Sequence, residues 1–194
     1  MARSRTNFFG LNEPERILLV SSTIWNLADG MLGPLFAVLT TRVGGDVLEI
    51  TWAWSTYLAV TGIGMVATGR LGDRIGHHYL SVFGYILTPI FTFGYLFVDT
   101  PFELLVIQAG LGLGLAFSNP TWSALYDKYS GKGDNDGFLW GLSSAGGYLA
   151  QAGAVLCGGF IVTNWSFDTL FIIMGTISSY AAFVQMRILK FARR

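Results

Sequence analysis

Charge is scarce in this chain of 194 residues. Asp, Glu, Lys and Arg together make 12%, about half of the roughly 25% carried by an ordinary soluble domain. That scarcity excludes a disordered chain and a nucleic-acid binder. With 52% hydrophobic residues and a mean hydropathy of +0.51, it excludes an ordinary soluble enzyme as well. Cysteine is nearly absent: Cys157 alone permits no disulfide framework and no multi-cysteine metal site. The two histidines, His77 and His78, are adjacent and have no spaced partners, so they make no metal site either. No glycine-rich phosphate loop of the P-loop type occurs, which excludes ATP-driven pumping by this chain, and nothing implies a cofactor. Glycine, by contrast, is plentiful. Its 25 residues are about 13% of the chain against an average near 7%, and glycine with long apolar runs is a membrane-helix composition.

A hydrocarbon core about 30 Å thick needs roughly 20 mostly apolar residues per spanning helix. Six segments meet that need: 17–41, 50–69, 79–98, 102–126, 138–162 and 167–189. The expected fold is an all-α membrane protein with six transmembrane helices. Residues 1–16 form an N-terminal segment, 17–189 the bundle and 190–194 a basic tail. The expected breakers are Gly44-Gly45-Asp46, Gly72-Asp73-Arg74, Asp99-Thr100-Pro101, Gly131 to Gly137 and Asn164-Trp165-Ser166. Of twelve Lys and Arg, eleven fall on one side of this topology and only Arg42 on the other. The positive-inside rule makes the crowded side cytoplasmic, with both termini inside. No small-residue cleavage site follows the first span, which is too long for a signal-peptide core, so no cleaved leader is expected.

Between the second and third spans the sequence reads Gly69-Arg70-Leu71-Gly72-Asp73-Arg74-Ile75-Gly76-His77-His78. This closely resembles the cytoplasmic signature of the major facilitator superfamily, G-x-L-a-D-r-x-G-r-k. Gly69, Leu71, Gly72, Asp73, Arg74 and Gly76 stand at matching positions, while His77 and His78 replace the usual basic pair. The residue types make physical sense: the glycines permit a tight turn, Asp73 suits a helix N-terminus, and Arg74 can bridge the carboxylate and nearby carbonyls. The resemblance covers the chain as the N-terminal half of a twelve-span architecture, a 3+3 repeat of helices. In the fourth span Gly112, Gly114 and Ala116 fit the family pattern, but Gln108 stands where the family often carries an arginine. The fifth span ends in Gly158-Gly159 yet lacks the proline of the antiporter signature.

One ionisable residue, Asp29, falls inside a span, where insertion costs about 2.5–3.5 kcal/mol. Asn26, Asp29 and Gly33 share a helical face, Trp25 is adjacent, and Pro34 frees a carbonyl one turn earlier. Gln108 and Asn119 lie three turns apart on one face of the fourth span, and Gln151 is near the middle of the fifth. The resemblance implies that spans one and four line a central cavity. Asp29, Asn26, Trp25, Gln108, Asn119 and Gln151 are therefore the expected substrate or coupling residues. Trp52, Trp54, Trp122, Trp140 and Trp165 read as an interfacial belt, whereas Trp25, Tyr57 and Tyr148 are deep enough to face a cavity. Pro120 is expected to kink the fourth span. Glycines crowd span five and recur at Gly62 and Gly64 in span two, the two spans that the resemblance places at the seam between halves. Asp136 is placed to cap the first turn of span five.

The expected function is that of a half-size secondary transporter in the cell membrane. It would pair through spans two and five with a second copy, carry a small polar solute by alternating access, and use protons as a candidate coupling ion. Asp73 and Arg74 would form the cytoplasmic gate. The alternatives are one half of a heterodimeric carrier and a membrane subunit that does not itself transport. Besides lipid, solute and the second copy, no partner is implied.

Overall fold

The computed structural model describes residues 11–130 and 136–192, apart from the side chains of Asp136 and Leu139. Among them every regular element is helical: α1 (Glu13–Gly30), α2 (Leu35–Arg42), α3 (Val47–Ile75), α4 (His77–Gly94), α5 (Pro101–Ser130), α6 (Asp136–Asn164) and α7 (Phe167–Met186). Short 3-10 turns, Tyr95–Phe97 and Arg187–Phe191, extend α4 and α7.

Local chemistry sets the starts. Asn12 caps α1 by accepting from the Glu15 N–H at 3.1 Å, and the Glu15 carboxylate returns to the Asn12 N–H. Asp46 and Glu49 exchange the same pair of bonds before α3. Hydrogen bonding to the Glu49 side chain, then to the Leu48 and Glu49 N–H groups, holds the Asp46 carboxyl below the usual carboxylate range. Its capping contribution is therefore present above the ordinary carboxylate pKa and fades as pH falls through the lowered one. Thr100 and Glu103 cap α5 reciprocally, and Ser166 accepts from Thr169 N–H at 3.1 Å to start α7. Each box satisfies N–H groups that the first turn leaves without an intrahelical partner.

Two boundaries depart from the sequence reading. The first span is not one helix over 17–41. It ends at Gly30 and resumes at Leu35 after a turn in which Met31 N–H bonds Ala28 O and Phe36 N–H bonds Gly33 O. Pro34 has no N–H and its ring crowds the carbonyl four residues back, and Gly30 and Gly33 weaken the helix on either side. Gly33 therefore leaves the helical face of Asn26 and Asp29. The second departure is at the signature segment, where Gly69 to Ile75 continue α3. The chain reverses only at Gly76, whose φ of +105° suits glycine alone. The expected turn at Gly72-Asp73-Arg74 is helix. Pro120 lies inside a continuous α5.

Five of these elements are long and apolar enough to cross a membrane: Val47–Ile75, His77–Phe97, Pro101–Ser130, Trp140–Asn164 and Phe167–Phe191. Neither piece of the divided first segment meets that standard alone. The packing has an internal symmetry: α1 lies against α6 and α7, and α5 lies against α3 and α4. Exchanging α1, α3 and α4 with α5, α6 and α7 maps each of these contacts onto another, with α4 against α7 at the centre. This is the arrangement expected of a 3+3 repeat.

Small residues set the spacing. A Cβ on Gly84 of α4 would stand 2.5 Å from the Ser118 nitrogen and 2.6 Å from the Gly114 oxygen of α5. One on Gly112 would stand 2.7 Å from the Tyr57 oxygen of α3. On the other side, Gly30 of α1 meets the Gln151 backbone, and Gly158 of α6 abuts the Met31 carbonyl. The glycines of spans two and five therefore divide. Gly64, Gly146, Gly147 and Gly158 serve contacts inside the chain, while Gly62, Gly69, Gly141, Gly153 and Gly159 face open space. In their apolar windows α3 and α6 bury only 11% and 22% of their residues, against 50% for α4 and α7.

The glycine geometry gives a test. Gly84→Val inserts a Cβ and its two methyls against the α5 backbone and is expected to destabilise the chain by about 1–3 kcal/mol or more. Gly62→Ala adds a methyl in open space and gains about 1 kcal/mol of helix propensity at most. Thermal unfolding in detergent should show a clear drop for the first and none for the second. Equal effects would mean that the α4–α5 approach is not what holds the pair together.

Candidate functional site

Polar side chains inside the bundle gather around two cavities. The larger, about 390 Å³, lies toward the end where α1 and α6 begin and α5 ends. Ser22, Trp25 and Asn26 of α1 line it, with Ser118, Asn119 and Ser123 of α5 opposite. On a third side α6 contributes Ser143, Ser144, Gly147, Tyr148 and Gln151, and Tyr85 closes the back from α4. No lining residue carries a formal charge, so the surface offers hydroxyls, amides and aromatic edges.

An aromatic shelf closes one end of this cavity. Trp122 stacks on Tyr126 at 4.9 Å and 8°, and Trp140 meets Tyr126 edge-on at 4.9 Å. The Trp122 indole donates to the Leu18 carbonyl at 3.1 Å, tying α5 to α1. Trp122 and Trp140 line this cavity and Trp54 the smaller one, which corrects the reading of all three as interfacial belt residues. Trp52 and Trp165, 61% and 63% exposed, remain on the outer surface.

The smaller cavity, about 120 Å³, holds Asp29. It lies beside the break between α1 and α2, lined by Leu32, Gly33 and Phe36 there and by Trp54 and Tyr57 of α3. Thr88, Thr92 and Tyr95 come from the α4 side, Gln108 and Leu111 from α5, and Met174 and Ser178 from α7. Asp29 makes no hydrogen bond or ion pair with any described residue, although solvent reaches it through the cavity. Trp25 is common to both cavities, and its indole donates to Thr88 Oγ1 at 3.5 Å.

The six residues expected to act together are thus separated. Asn26, Asn119 and Gln151 face the larger cavity, Asp29 and Gln108 the smaller, and Trp25 both. Gln108 and Asn119 do share a face, but three helical turns place them in different chambers. Asn26 also spends its amide on the Ser22 carbonyl at 2.8 Å. Tyr57 and Tyr148 face a cavity, as their depth suggests, one in each. The serines at 22, 118, 123, 143 and 144 escape sequence reading one by one. Their signal is that they recur in three apolar spans at equivalent depth.

Behind Tyr85 a buried chain of hydrogen bonds fixes three helices. Ser21 Oγ donates to Gln185 Oε1 at 2.6 Å, and Gln185 Nε2 donates to Ser81 Oγ at 2.8 Å. All three side chains are fully buried. They set the rotation of α1 one residue from Ser22 and one turn from Trp25. Nothing in the sequence singled out Gln185.

At the signature segment, Asp73 is exposed, and its carboxylate lies 3.5 Å from His77 Nε2 one turn later. Gly72 is buried because a Cβ there would meet the His77 ring at 2.5 Å. His78 Nε2 and the Tyr129 hydroxyl are hydrogen-bonded at 2.7 Å, joining α4 to the end of α5. The expected cap at Asp136 lies outside the described side chains, as do residues 1–10, 131–135 and 193–194 with their basic groups. Among the described residues no group of three or more His, Cys, Asp and Glu gathers to hold a metal ion.

Comparison with known proteins adds a lineage to this geometry. The model of the Major Facilitator Superfamily matches residues 18–193. The chain is 23% identical over 188 residues to the "Multidrug resistance protein MdtG" of Klebsiella pneumoniae (strain 342), covering 94% of this chain and 45% of that protein. The protein of the same name from Escherichia fergusonii is 22% identical over 183 residues, covering 91% and 45%. That from Serratia proteamaculans (strain 568) is 29% identical over 118 residues, covering 58% and 29%. The chain spans about half the length of the curated relatives it matches.

The buried network predicts a specific cost. Gln185→Leu keeps the volume but leaves the buried Ser81 hydroxyl without that partner, at about 1–3 kcal/mol, while the Ser21 hydroxyl retains the Leu18 carbonyl at 3.1 Å and loses less. Ser21→Ala and Ser81→Ala introduced with it should recover part of the loss. A thermal-melt series in detergent checks both expectations, and absence of recovery would show that packing, not hydrogen bonding, holds Gln185.

Proposed function

Because the chain belongs to the Major Facilitator Superfamily, we propose that it acts as the six-span half of a secondary transporter in the cell membrane. Alternating access would then arise between this half and a second one. The α1–α2 pair is read as the first of the six spans, with both termini on the cytoplasmic side because eleven of twelve basic residues fall there. The observation that carries the reading is the larger cavity. It is uncharged, presents hydroxyls and amides among aromatic rings, and is lined by α1, α5 and α6 with Tyr85 of α4, so its chemistry suits a small neutral solute with both polar and apolar parts. The relatives are named for multidrug resistance, which makes drug-like organic solutes the first class to assay.

The partner half is read as a second copy. Exposed Val66 and Ile63 on α3 and Leu149 and Leu156 on α6, beside open glycines, support pairing through these two helices. The alternatives, a different partner chain or a subunit without transport of its own, differ in what purified protein does. Mass in detergent and uptake by proteoliposomes containing this chain alone separate them: a strict monomer overturns the two-copy reading.

Asp29 is the proposed coupling residue, with Asn26, Trp25, Gln108, Asn119 and Gln151 as its partners in the two cavities. Two identical chains related by a two-fold axis place two such carboxylates around one pathway, and a pair of this kind titrates as a unit. Asp29→Asn is expected to abolish pH-driven accumulation while the assembly elutes unchanged from a sizing column. Normal transport with the same pH profile would reduce Asp29 to a packing role.

Gly69, Leu71, Gly72, Asp73, Arg74 and Gly76 are the proposed gate at the cytoplasmic end. Asp73 is exposed and, beside its contact with His77, could meet the start of the partner's α6, a charge–dipole contact of about 0.3–2 kcal/mol. Asp73→Asn should raise labelling of cysteines placed in the larger cavity from the cytoplasmic side, with no change in folded yield. Unaltered labelling removes this role.

A further inference from the structure

The signature segment departs from the family pattern at its end, where His77 and His78 stand in place of the usual basic pair. The two rings take different places. His78 turns to α5, where its Nε2 is hydrogen-bonded to the Tyr129 hydroxyl at 2.7 Å. His77 turns back onto α3. Its ring fills the space of the missing Gly72 side chain, and its Nε2 stands 3.5 Å from the Asp73 carboxylate. Among the described residues no other basic side chain lies within ion-pair reach of an acid.

The charges around this corner leave Asp73 as the counterpart of His77. Arg70 and Arg74 share the last turns of α3 with it, and both are exposed. Asp127 and Lys128 end α5 beside Tyr129, while Arg187 and Lys190 belong to the 3-10 turn that packs on α4. Positive charge dominates, and Asp73 and Asp127 are the acids at this end of those elements. Tyr79 and Tyr129, the remaining titratable side chains, are of a type that stays neutral at physiological pH.

The space beside Gly72 distinguishes the two protonation states of His77. Nδ1 faces Gly72, buried and without a hydrogen-bond partner, and no other buried side-chain nitrogen or oxygen among the described residues lacks one. A neutral imidazole can carry its proton on Nε2, toward the carboxylate, and keep a lone pair at Nδ1. A protonated ring carries an N–H at Nδ1 as well, in a place that offers no acceptor. Charge therefore draws the ring away from Gly72 and toward Asp73. Imidazole is the side chain that ordinarily changes charge between about pH 5 and 8, whereas lysine and arginine stay charged throughout.

We propose that His77 makes the cytoplasmic gate sensitive to internal pH. Uncharged, it leaves the exposed Asp73 carboxylate to the start of the other half's α6. Charged, it takes that carboxylate into a pair within its own chain, and the gate opens. This rests on the reading of Asp73 as a gate residue and deepens it by naming its regulation.

The test uses the full chain in inverted membrane vesicles, whose outer medium meets the cytoplasmic side. Cys157→Ser removes the lone native thiol, and Ser144→Cys places one on an exposed position of the larger cavity. Its rate of labelling by a membrane-impermeant maleimide is divided by that of the unfolded chain at the same pH, because thiolate content itself varies with pH. The corrected rate is expected to rise several-fold from about pH 7.5 to about pH 5.5. His77→Gln should hold it flat at the neutral-pH value and His77→Lys flat at the acid value, opposite plateaus that misfolding cannot produce together. His78→Gln should keep the response. So should Asp29→Asn, which separates it from the coupling carboxylate. A flat profile in the otherwise unaltered chain, a response that survives His77→Gln, or one that His78→Gln or Asp29→Asn removes overturns the proposal. If Asp73→Asn raises the corrected rate while acidification does not, this inference alone falls. If Asp73→Asn changes nothing, the gate reading falls with it.

Discussion

Apolar side chains gain nothing by leaving lipid for one another, so helices in a bilayer associate through close backbone approach and the few polar contacts that closeness permits. In this chain that constraint is met at three helix pairs. Gly112 and Gly114 let α5 receive α3 and α4 on separate flanks, and Gly84 answers from α4. Gly30 and Gly158 bring α1 and α6 together in the same manner. The polar interior follows from these contacts. Once α1, α5 and α6 are fixed at their edges, their serines and amides face one space rather than lipid.

The break after Gly30 is the second determinant. An uninterrupted first span would bury its carbonyls in its own hydrogen bonds and carry Gly33 on the face of Asp29. Pro34 instead ends the helix beside the carboxylate, and the turn opens the smaller cavity at that level. Trp25, one turn earlier, closes the same cavity toward the larger one. Two chambers of different chemistry are thus stacked along one helix: neutral hydroxyls and amides on one side of an indole, a single carboxylate among aromatic rings on the other.

The outer helices complete the picture. α3 and α6 occupy equivalent positions in the repeat, each packed mainly on one helix and each presenting large apolar residues outward. α4 and α7, at the symmetric centre, are twice as covered or more.

Much of this was legible in the residues. Hydropathy with a glycine excess required membrane helices, the segment from Gly69 to His78 pointed to the superfamily, and Asp29 stood out as the lone intramembrane charge. Depth along a span is also readable, which is why Trp25, Tyr57 and Tyr148 were placed on cavities. Direction is not. Trp122 and Trp140 sit near span ends and read as belt residues, yet rotation of α5 and α6 turns both rings inward. Gln185 looked like any polar residue near a helix end until α1 and α4 supplied Ser21 and Ser81. The signature segment read as a loop because its glycines permit a turn, but a backbone that can still form helical hydrogen bonds does so, and only Gly76 departs. Sequence by itself determined composition-driven properties: solvent, helix content, lineage and which residues are costly in lipid. Only the tertiary structure decided which polar groups meet, because a chamber is made by side chains from several helices whose rotations are set by contacts far apart in the chain.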